Sequence, residues 1–229
     1  MSKPKVAIID NSIYPEIYKP VDHWKHYLRD AEWKAFYAPG GALPGLGDFS
    51  HFILTGSEAS ILDRASWVER EVDFVREAFR LDRTLLGSCY GHQLLALALA
   101  GPGHVGRCRE PEIGWIPIEI TTDSPLLGPK GTAYTFSVHF DEVRDLEDPF
   151  IVLASSPICP IQAFGVKDRP VWGLQIHPEI DVEAARGLLR DFGGVFPNVI
   201  PLYRKALDAE PRDSGIIFKI IKGFLRFSP

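Results

Sequence analysis

Short, mainly apolar runs alternate with amphipathic stretches through the first hundred residues of the chain. Runs of this length that end at turn-forming residues are typical of buried strands, and they predict strands at residues 6–9, 33–38, 49–55 and 84–87. The stretches between and after them predict helices at residues 24–31, 65–80 and 91–100. Strand followed by helix, repeated along a chain, favours a parallel sheet with helices on both faces.

The helix predicted at residues 65–80 has the clearest amphipathic pattern. Val68, Val72, Val75 and Phe79 recur at helical spacing, and charged residues occupy the opposite side. The helix predicted at residues 91–100 is apolar all round, so we expect other elements to cover it on nearly every side.

Beyond residue 115 the pattern changes to short strands separated by turns. Strands are predicted at residues 116–120, 133–138, 150–154, 162–166 and 171–176, and a helix at residues 182–192. The predicted fold class is therefore α/β, with a mostly parallel central sheet flanked by helices and with antiparallel strands added to it.

Composition narrows the class of protein. Of 229 residues, 45% are hydrophobic and 24% charged, which is typical of globular proteins and excludes collagen-like, coiled-coil and disordered chains. The net charge of −5 argues against a general nucleic-acid binder. Cys89, Cys108 and Cys159 form no CxxC pair, so neither a disulfide framework nor a zinc site is expected. No apolar run is long enough for a signal peptide or a membrane span, and we expect a cytoplasmic protein.

The sequence Gly87-Ser-Cys-Tyr-Gly91 has the form of a nucleophile elbow between a predicted strand and a predicted helix. Such a turn holds its central residue in a strained, exposed conformation, so the residues two positions away must be small. The helix N-terminus favours the thiolate of Cys89, and the N–H of Tyr90 can donate to an oxyanion. The alternative, that Cys89 is a small buried core residue, fits the strand–helix context less well.

A thiolate nucleophile needs a base, and His177 is the best-placed of the seven histidines. It follows the strand predicted at residues 171–176, and Glu179 lies two positions further on. A carboxylate at that position can orient the imidazole, as in a catalytic triad. In isolation His-Pro-Glu is typical of a histidine and a glutamate solvated at the surface. The prediction of a catalytic role depends on its occurring in the same chain as the elbow.

Two segments resemble the signature motifs of the class I glutamine amidotransferases: residues 87–93, which contain the elbow, and residues 173–179. The resemblance covers roughly residues 5–192 and is closest to free-standing members similar to the amidotransferase domain of GMP synthase. It implies that family's flavodoxin-like α/β fold and a catalytic triad of Cys89, His177 and Glu179.

The resemblance also implies roles for residues around the triad. The oxyanion would be held by the N–H groups of Tyr90 and Gly56, from the loop after the third strand. The substrate glutamine would be held by Ser57, Gln93, Ser137, Val138 and His139, and Asp141 belongs to the same motif. The implied reaction runs through a γ-glutamyl thioester and needs no metal or organic cofactor.

Other residues are expected to be structural. The segment 112–115 resembles one common in free-standing members, and we interpret it as a turn with an anchoring tryptophan. Arg107, Arg109 and Glu110 could border the mouth of the pocket, but we expect them to be solvated charges. Cys108 and Cys159 are expected to be structural, and His92 to be a packing residue.

We divide the chain into an amidotransferase domain at residues 1–200 and a C-terminal extension at residues 201–229. Within the extension, residues 208–215 have the composition of a linker. The helical spacing of Ile217, Ile220, Ile221 and Phe224 then predicts a basic amphipathic helix. Its apolar face could dock on the main domain or on a second copy, or the helix could bind a partner or a membrane surface.

The chain shows no ammonia-using domain of the kind that fused synthases carry, and no phosphate-binding loop. Three functions stay open. The first is a free-standing glutamine amidotransferase that passes ammonia to a separate synthase partner. The second is a hydrolase of γ-glutamyl peptides or metabolites, and the third is a silent regulatory or binding subunit. The intact triad motifs argue against the third.

Overall fold

The chain was analysed as a computed structural model that describes residues 3–227. Within these residues the strands are β1 (Lys5–Asp10), β2 (Glu32–Tyr37), β3 (His51–Leu54), β4 (Thr84–Ser88), β5 (Val105–Ile120), β6 (Gly131–Val143), β7 (Phe150–Ser155), β8 (Ala163–Val166) and β9 (Val171–Leu174). The α-helices are α1 (Pro20–Lys25), α2 (Val68–Arg80), α3 (Tyr90–Leu99), α4 (Val182–Val195), α5 (Ile200–Asp208) and α6 (Ile217–Phe224).

The strands form one mixed sheet in the order β2-β1-β3-β4-β9-β8-β7-β5-β6. The pairs from β2 across to β9 are parallel, and those from β9 across to β6 are antiparallel. The predicted α/β class, with a parallel central part, added antiparallel strands and flanking helices, is confirmed; the antiparallel part is as large as the parallel part, with four strand pairs each. The cause is that β5 and β6 extend well beyond the segments predicted for them.

The parallel strands are buried on both faces, as their apolar runs predict. Along β1, Val6 and Ile8 belong to one apolar cluster, while Ala7 and Ile9 belong to the cluster on the other face. Helices α2 and α3 cover the second of these faces, and α1 and α6 lie in the first cluster. Helix α3 is buried along nearly its whole length, which confirms the expectation for an apolar helix.

The long hairpin of β5 and β6 supports a third apolar cluster. The hairpin contributes Phe136, and helices α4 and α5 contribute Leu188, Phe192 and Tyr203 among others. The register of the hairpin shifts between Arg107 and Glu112. Proline at position 111, within that shift, cannot donate to a strand ladder, which is why proline is confined to edges and bulges.

Two helix predictions differ from the structure. The helix predicted at residues 24–31 is instead α1, and it starts earlier because Pro20 occupies the first turn, where proline is pre-organised for a helix. Helix α5 was not predicted, because its pattern is weak: only Tyr203 and Ala206 are buried along it.

Helix α6 packs its predicted apolar face into the core of the main sheet. Ile217, Ile220, Ile221 and Phe224 are buried, and a Cβ on Gly223 would lie 2.4 Å from the carbonyl oxygen of Pro125. Of the alternatives considered for the apolar face of α6, the structure therefore shows docking on the main domain. The division of the chain at residue 200 stays a prediction.

The segment predicted as a linker is attached to the hairpin. Ser214 donates its N–H to the carbonyl of Tyr134, and its hydroxyl accepts the N–H of that residue. Within residues 3–227 we find no helix that is long and apolar enough to span a bilayer.

The packing of α6 predicts how its substitutions affect stability. Ile220 is fully buried and Phe218 is 69% exposed. Ile220→Ala should lower the free energy of unfolding by about 2–5 kcal/mol, because a buried side chain leaves a cavity. Phe218→Ala, the matched control on the same helix, should change it by less than about 0.5 kcal/mol. Urea unfolding of both variants measures the difference, and equal effects would contradict this packing.

Candidate active site

The elbow forms where β4 ends and α3 begins. Cys89 has φ 49° and ψ −103°, a conformation that L-residues adopt only under strain. Its N–H donates to the carbonyl oxygen of Leu174 on β9 over 2.7 Å. This hydrogen bond holds the strained residue at the carboxyl end of the sheet, where ligand sites of open α/β sheets lie.

Both glycines of the elbow are required by close main-chain contacts. A Cβ on Gly87 would lie 2.3 Å from the carbonyl oxygen of Gly91, and a Cβ on Gly91 would lie 2.1 Å from that of Leu54. The N–H of Gly91 also donates to the carbonyl of Thr55 over 3.1 Å. The start of α3 is thus pressed against the end of β3, which supplies the loop that contains Gly56.

His177 follows β9 and is fixed between two parts of the sheet. Its N–H donates to the carbonyl of Phe136 on β6 over 2.9 Å. Its Nδ1 lies 2.9 Å from Oε1 of Glu179, in the pairing expected for a base and its orienting carboxylate. A Cβ on Gly56 would lie 2.7 Å from Cε1 of His177, so the main chain of Gly56 runs directly beside the ring.

The carboxylate of Glu179 is buried and held by two further hydroxyl groups. The Oγ atom of Ser88 lies 3.3 Å from both of its oxygens, and Tyr18 donates to Oε1 over 3.4 Å. Burial, and then the charges of Glu179 and Cys89, keep the pKa of Tyr18 well above its usual value. The phenol therefore stays a donor, which a buried carboxylate requires.

The charges around His177 favour its protonated form. Burial by itself lowers the pKa of the imidazole, but the neighbouring side chains of Cys89 and Glu179 outweigh burial and raise that pKa to about 10. A protonated imidazole at this position can give its proton to a leaving group.

The surroundings of the sulfur can accommodate an oxyanion. The Sγ atom of Cys89 lies 3.6 Å from the carbonyl oxygen of Val138. Tyr90 is the first residue of α3, so its N–H has no acceptor within the helix, and the helix dipole favours negative charge there.

The side chain of Tyr90 makes a separate buried contact: its hydroxyl group donates to the buried Glu71 over 3.5 Å. Burial raises the pKa of Glu71 to about 8.

A cavity of about 420 Å³ opens above Cys89 and His177. One wall is polar and centres on Asp141. The carboxylate of Asp141 accepts from Ser60 over 2.5 Å and pairs with Arg107 over 3.0 Å, while its carbonyl accepts from Gln93 over 2.9 Å. Arg107 thus borders the cavity and is paired, which corrects the expectation that it is only a solvated charge.

The structure brings most of the expected substrate residues to this cavity. Ser57, Gln93, Val138 and His139 line it, whereas Ser137 is fully buried within β6. Tyr90 directly follows Cys89 in the chain, and the main chain of Gly56 lies beside the ring of His177. These roles stay predictions. His92 is fully buried against the ring of Phe164, as expected for a packing residue.

Behind the cavity, His139 belongs to a buried polar network. Its Nε2 lies 3.0 Å from Oε2 of Glu112, which also accepts from Gln162, and Ser156 donates to Oε1 of Glu112 over 2.6 Å. The segment 112–115 therefore contributes a buried carboxylate as well as its turn and tryptophan. Cys108 is not isolated from bases, because its Sγ lies 3.2 Å from Nδ1 of His139.

One group of side chains in this network could hold a metal ion. Glu112, His139 and Cys159 place ligand atoms within 4.8 Å of one another. Both oxygens of Glu112 already accept hydrogen bonds from Ser156 and Gln162, which is typical of a closed structural network. The expectation that no metal is needed stays a prediction.

Sequence reasoning missed Tyr18 and the second role of Ser88. Tyr18 lies between β1 and α1, in an irregular segment with no periodic pattern. The sequence pattern assigns Ser88 only to the elbow. Successive side chains of a strand point to opposite faces of the sheet, so the residue before the nucleophile can have a contact of its own. No pattern along the chain connects either of them to Glu179.

The chain was compared with known proteins. A family model described as Glutamine amidotransferase class-I matches residues 44–193. A glutamine-hydrolysing GMP synthase subunit from Methanothermobacter thermautotrophicus is 34% identical over 145 residues, which is 62% of this chain and 76% of that relative. The corresponding protein from Methanosarcina barkeri is 38% identical over 124 residues, which is 52% of this chain and 62% of that relative.

Solved structures match over nearly the whole chain. A glutamine amidotransferase from Thermotoga maritima superposes with a TM-score of 0.73, covering 99% of this chain and 96% of that one. The sequence identity is 20%, so this likeness concerns the fold.

The close contacts at the elbow predict that Gly91 cannot carry a side chain. Gly91→Ala should lower the free energy of unfolding by about 3 kcal/mol or more, because the new methyl group overlaps the main chain of β3. Gly187→Ala on α4 is the matched control: an added Cβ there meets nothing within 4 Å, so it should be neutral or stabilise by about 0.5–1 kcal/mol. Urea denaturation of the two variants measures the difference in the free energy of unfolding. Comparable stability of the two would contradict the close contact between Gly91 and the main chain of Leu54.

The electrostatics of the site predict the titration of His177. An NMR titration of its imidazole should show a charged ring through neutral pH, deprotonating only near pH 10. Cys89→Ala and Glu179→Gln should each lower this pKa, because each removes a neighbouring charge that favours the imidazolium. Glu183→Gln, an exposed carboxylate on α4, is the control and should leave it unchanged. A pKa near 6.5 in the unsubstituted protein would refute the pairing.

Proposed function

Because the chain belongs to the class I glutamine amidotransferases, we propose that it hydrolyses the side-chain amide of glutamine through a γ-glutamyl thioester on Cys89. The observation that carries this proposal is the pairing of a strained cysteine at a helix N-terminus with a buried His177–Glu179 pair at the same end of the sheet.

In the first step, the thiolate of Cys89 attacks the amide carbon of the substrate. The negative charge that develops on the amide oxygen is accepted by the N–H of Tyr90 and, on the other side, by the main chain of Gly56. Losing one donor of this kind typically reduces the rate by roughly 10²- to 10³-fold. The strain at Cys89 serves to present the sulfur in front of these donors.

His177 moves the protons in both halves of the reaction. As the carbon–nitrogen bond breaks, the imidazolium gives its proton to the departing ammonia. The neutral ring then takes a proton from water, whose oxygen attacks the thioester and releases glutamate. Glu179 keeps Nδ1 protonated and so leaves Nε2 free to face the sulfur and the leaving group.

The ammonia would be used on a separate chain. The two curated relatives are each one subunit of a glutamine-hydrolysing GMP synthase, and we propose by analogy that a synthase partner receives ammonia from this chain. No organic cofactor takes part in the hydrolysis that we propose.

Glutamate release from glutamine by the purified chain tests the proposal. Cys89→Ala should reduce release by roughly 10⁴-fold or more, because nothing else forms the acyl intermediate. Cys108→Ala is the matched control and should keep most of the activity, since Cys108 is not among the residues that line the cavity.

A second readout makes the test independent of any partner. A chloromethyl ketone analogue of glutamine should alkylate Cys89, which mass spectrometry of the digested protein would locate, and Cys89→Ala should remain unmodified. If the unsubstituted chain shows neither glutamate release nor labelling of Cys89, the proposal is overturned.

A further inference from the structure

The cavity above the nucleophile has a second wall that is almost entirely apolar. It is built by α4, α5 and the residues between them. Its one amide side chain is that of Asn198, and its other members are Leu188, Phe192, Val195, Phe196, Val199 and Tyr203. The polar wall around Asp141 and Arg107 lies on the hairpin of β5 and β6. The two walls face a common space that contains Cys89 and His177.

The apolar wall lies on the side of His177. The ring of Tyr18 meets that of His177 edge-on at 6.0 Å, and the ring of Phe136 lies 6.5 Å away. Both aromatic residues belong to the same apolar cluster as Leu188, Phe192 and Tyr203. The aromatic side chains next to the imidazole are thus part of the same apolar cluster as the wall formed by α4 and α5.

Glutamine has no apolar group beyond its amide nitrogen that could contact this wall. Glutamine is polar at its amino-acid end, which suits the wall with Arg107 and Asp141, and its leaving group is ammonia. A cavity of about 420 Å³ falls in the range of roughly 300–1,000 Å³ that encloses larger ligands. Apolar side chains that line a cavity next to a reacting group are typical of a pocket for an apolar substituent.

We infer that the site accepts γ-glutamyl amides whose nitrogen carries an apolar alkyl or aromatic group, and that α4 and α5 bind this group. The inference rests on the thioester chemistry proposed above. The sulfur of Cys89 forms a bond to the γ-carbon, and the carbon–nitrogen bond breaks. His177 protonates the departing amine, which leaves along the apolar wall, and water then releases glutamate from the thioester.

A series of γ-glutamyl n-alkylamides tests this inference, because their amine leaving groups are similarly basic and differ mainly in apolar size. The kcat/KM for glutamate release should rise by about tenfold or more from the methylamide to the n-butylamide, since added methylenes in an apolar pocket improve binding in the transition state. Cys89→Ala serves as the blank for every substrate.

Substitution of the wall makes the test specific. Val195 is 38% exposed and lines the cavity, so Val195→Asn should fold and should reduce the ratio of n-butylamide to methylamide kcat/KM several-fold. Leu202 on α5 is 39% exposed and lies outside the cavity lining. Leu202→Asn, with the same type of change, should leave the ratio unaltered.

The outcomes separate this inference from the proposed function. Turnover of glutamine with a kcat/KM that falls steadily as the alkyl group lengthens would overturn the inference and leave the glutaminase proposal standing. An unaltered ratio in Val195→Asn would show that the wall does not bind the alkyl group. The absence of Cys89-dependent turnover for every amide, glutamine included, would overturn the inference, and the absence of labelling of Cys89 as well would overturn the proposed function.

Discussion

The contact between the start of α3 and the end of β3 is the constraint on which the rest of the site depends. Gly91 approaches Leu54 so closely that no side chain fits between them, and its N–H is bonded to Thr55. This seating brings the loop that contains Gly56 beside the elbow, and with it one of the two donors expected to hold the oxyanion. Cys89, two residues before Gly91, has a strained conformation, and such strain costs about 1–3 kcal/mol that the surrounding structure has to offset.

The buried ion pair of His177 and Glu179 imposes a second requirement. Two charges removed from water are stable only if further hydrogen bonds satisfy them, and Ser88 and Tyr18 supply these at Glu179. Ser88 precedes the nucleophile, and Tyr18 also flanks the ring of His177. The residues that satisfy the carboxylate therefore also adjoin the proposed nucleophile and base, Ser88 along the chain and Tyr18 through its ring contact with His177.

The sequence predicted the parts of this molecule that arise from local patterns. Buried strands, the amphipathic α2 and α6, and the elbow glycines all follow from residues close together along the chain. The partners of Glu179 and the pairing of Arg107 with Asp141 could not be predicted, because they depend on which strands become neighbours in the sheet. Helix α5 was missed because tertiary packing against β5, rather than its own weak apolar pattern, stabilises it.

The residues proposed for catalysis and those proposed for substrate recognition come from different parts of the fold. The nucleophile and the base come from β4 and β9, neighbouring strands of the parallel half, where their geometry is rigid. The walls that meet the two ends of a substrate come from the β5–β6 hairpin and from α4 and α5, which are tied to each other by Phe136 and its apolar neighbours. His177 is hydrogen-bonded to Phe136 of the hairpin, so changes in α4 and α5, rather than in β6, are the ones expected to alter which amide fits without moving the imidazole. Because α4 begins at Val182, shortly after Glu179, the surface proposed to contact the leaving group follows closely along the chain from the groups proposed to release it.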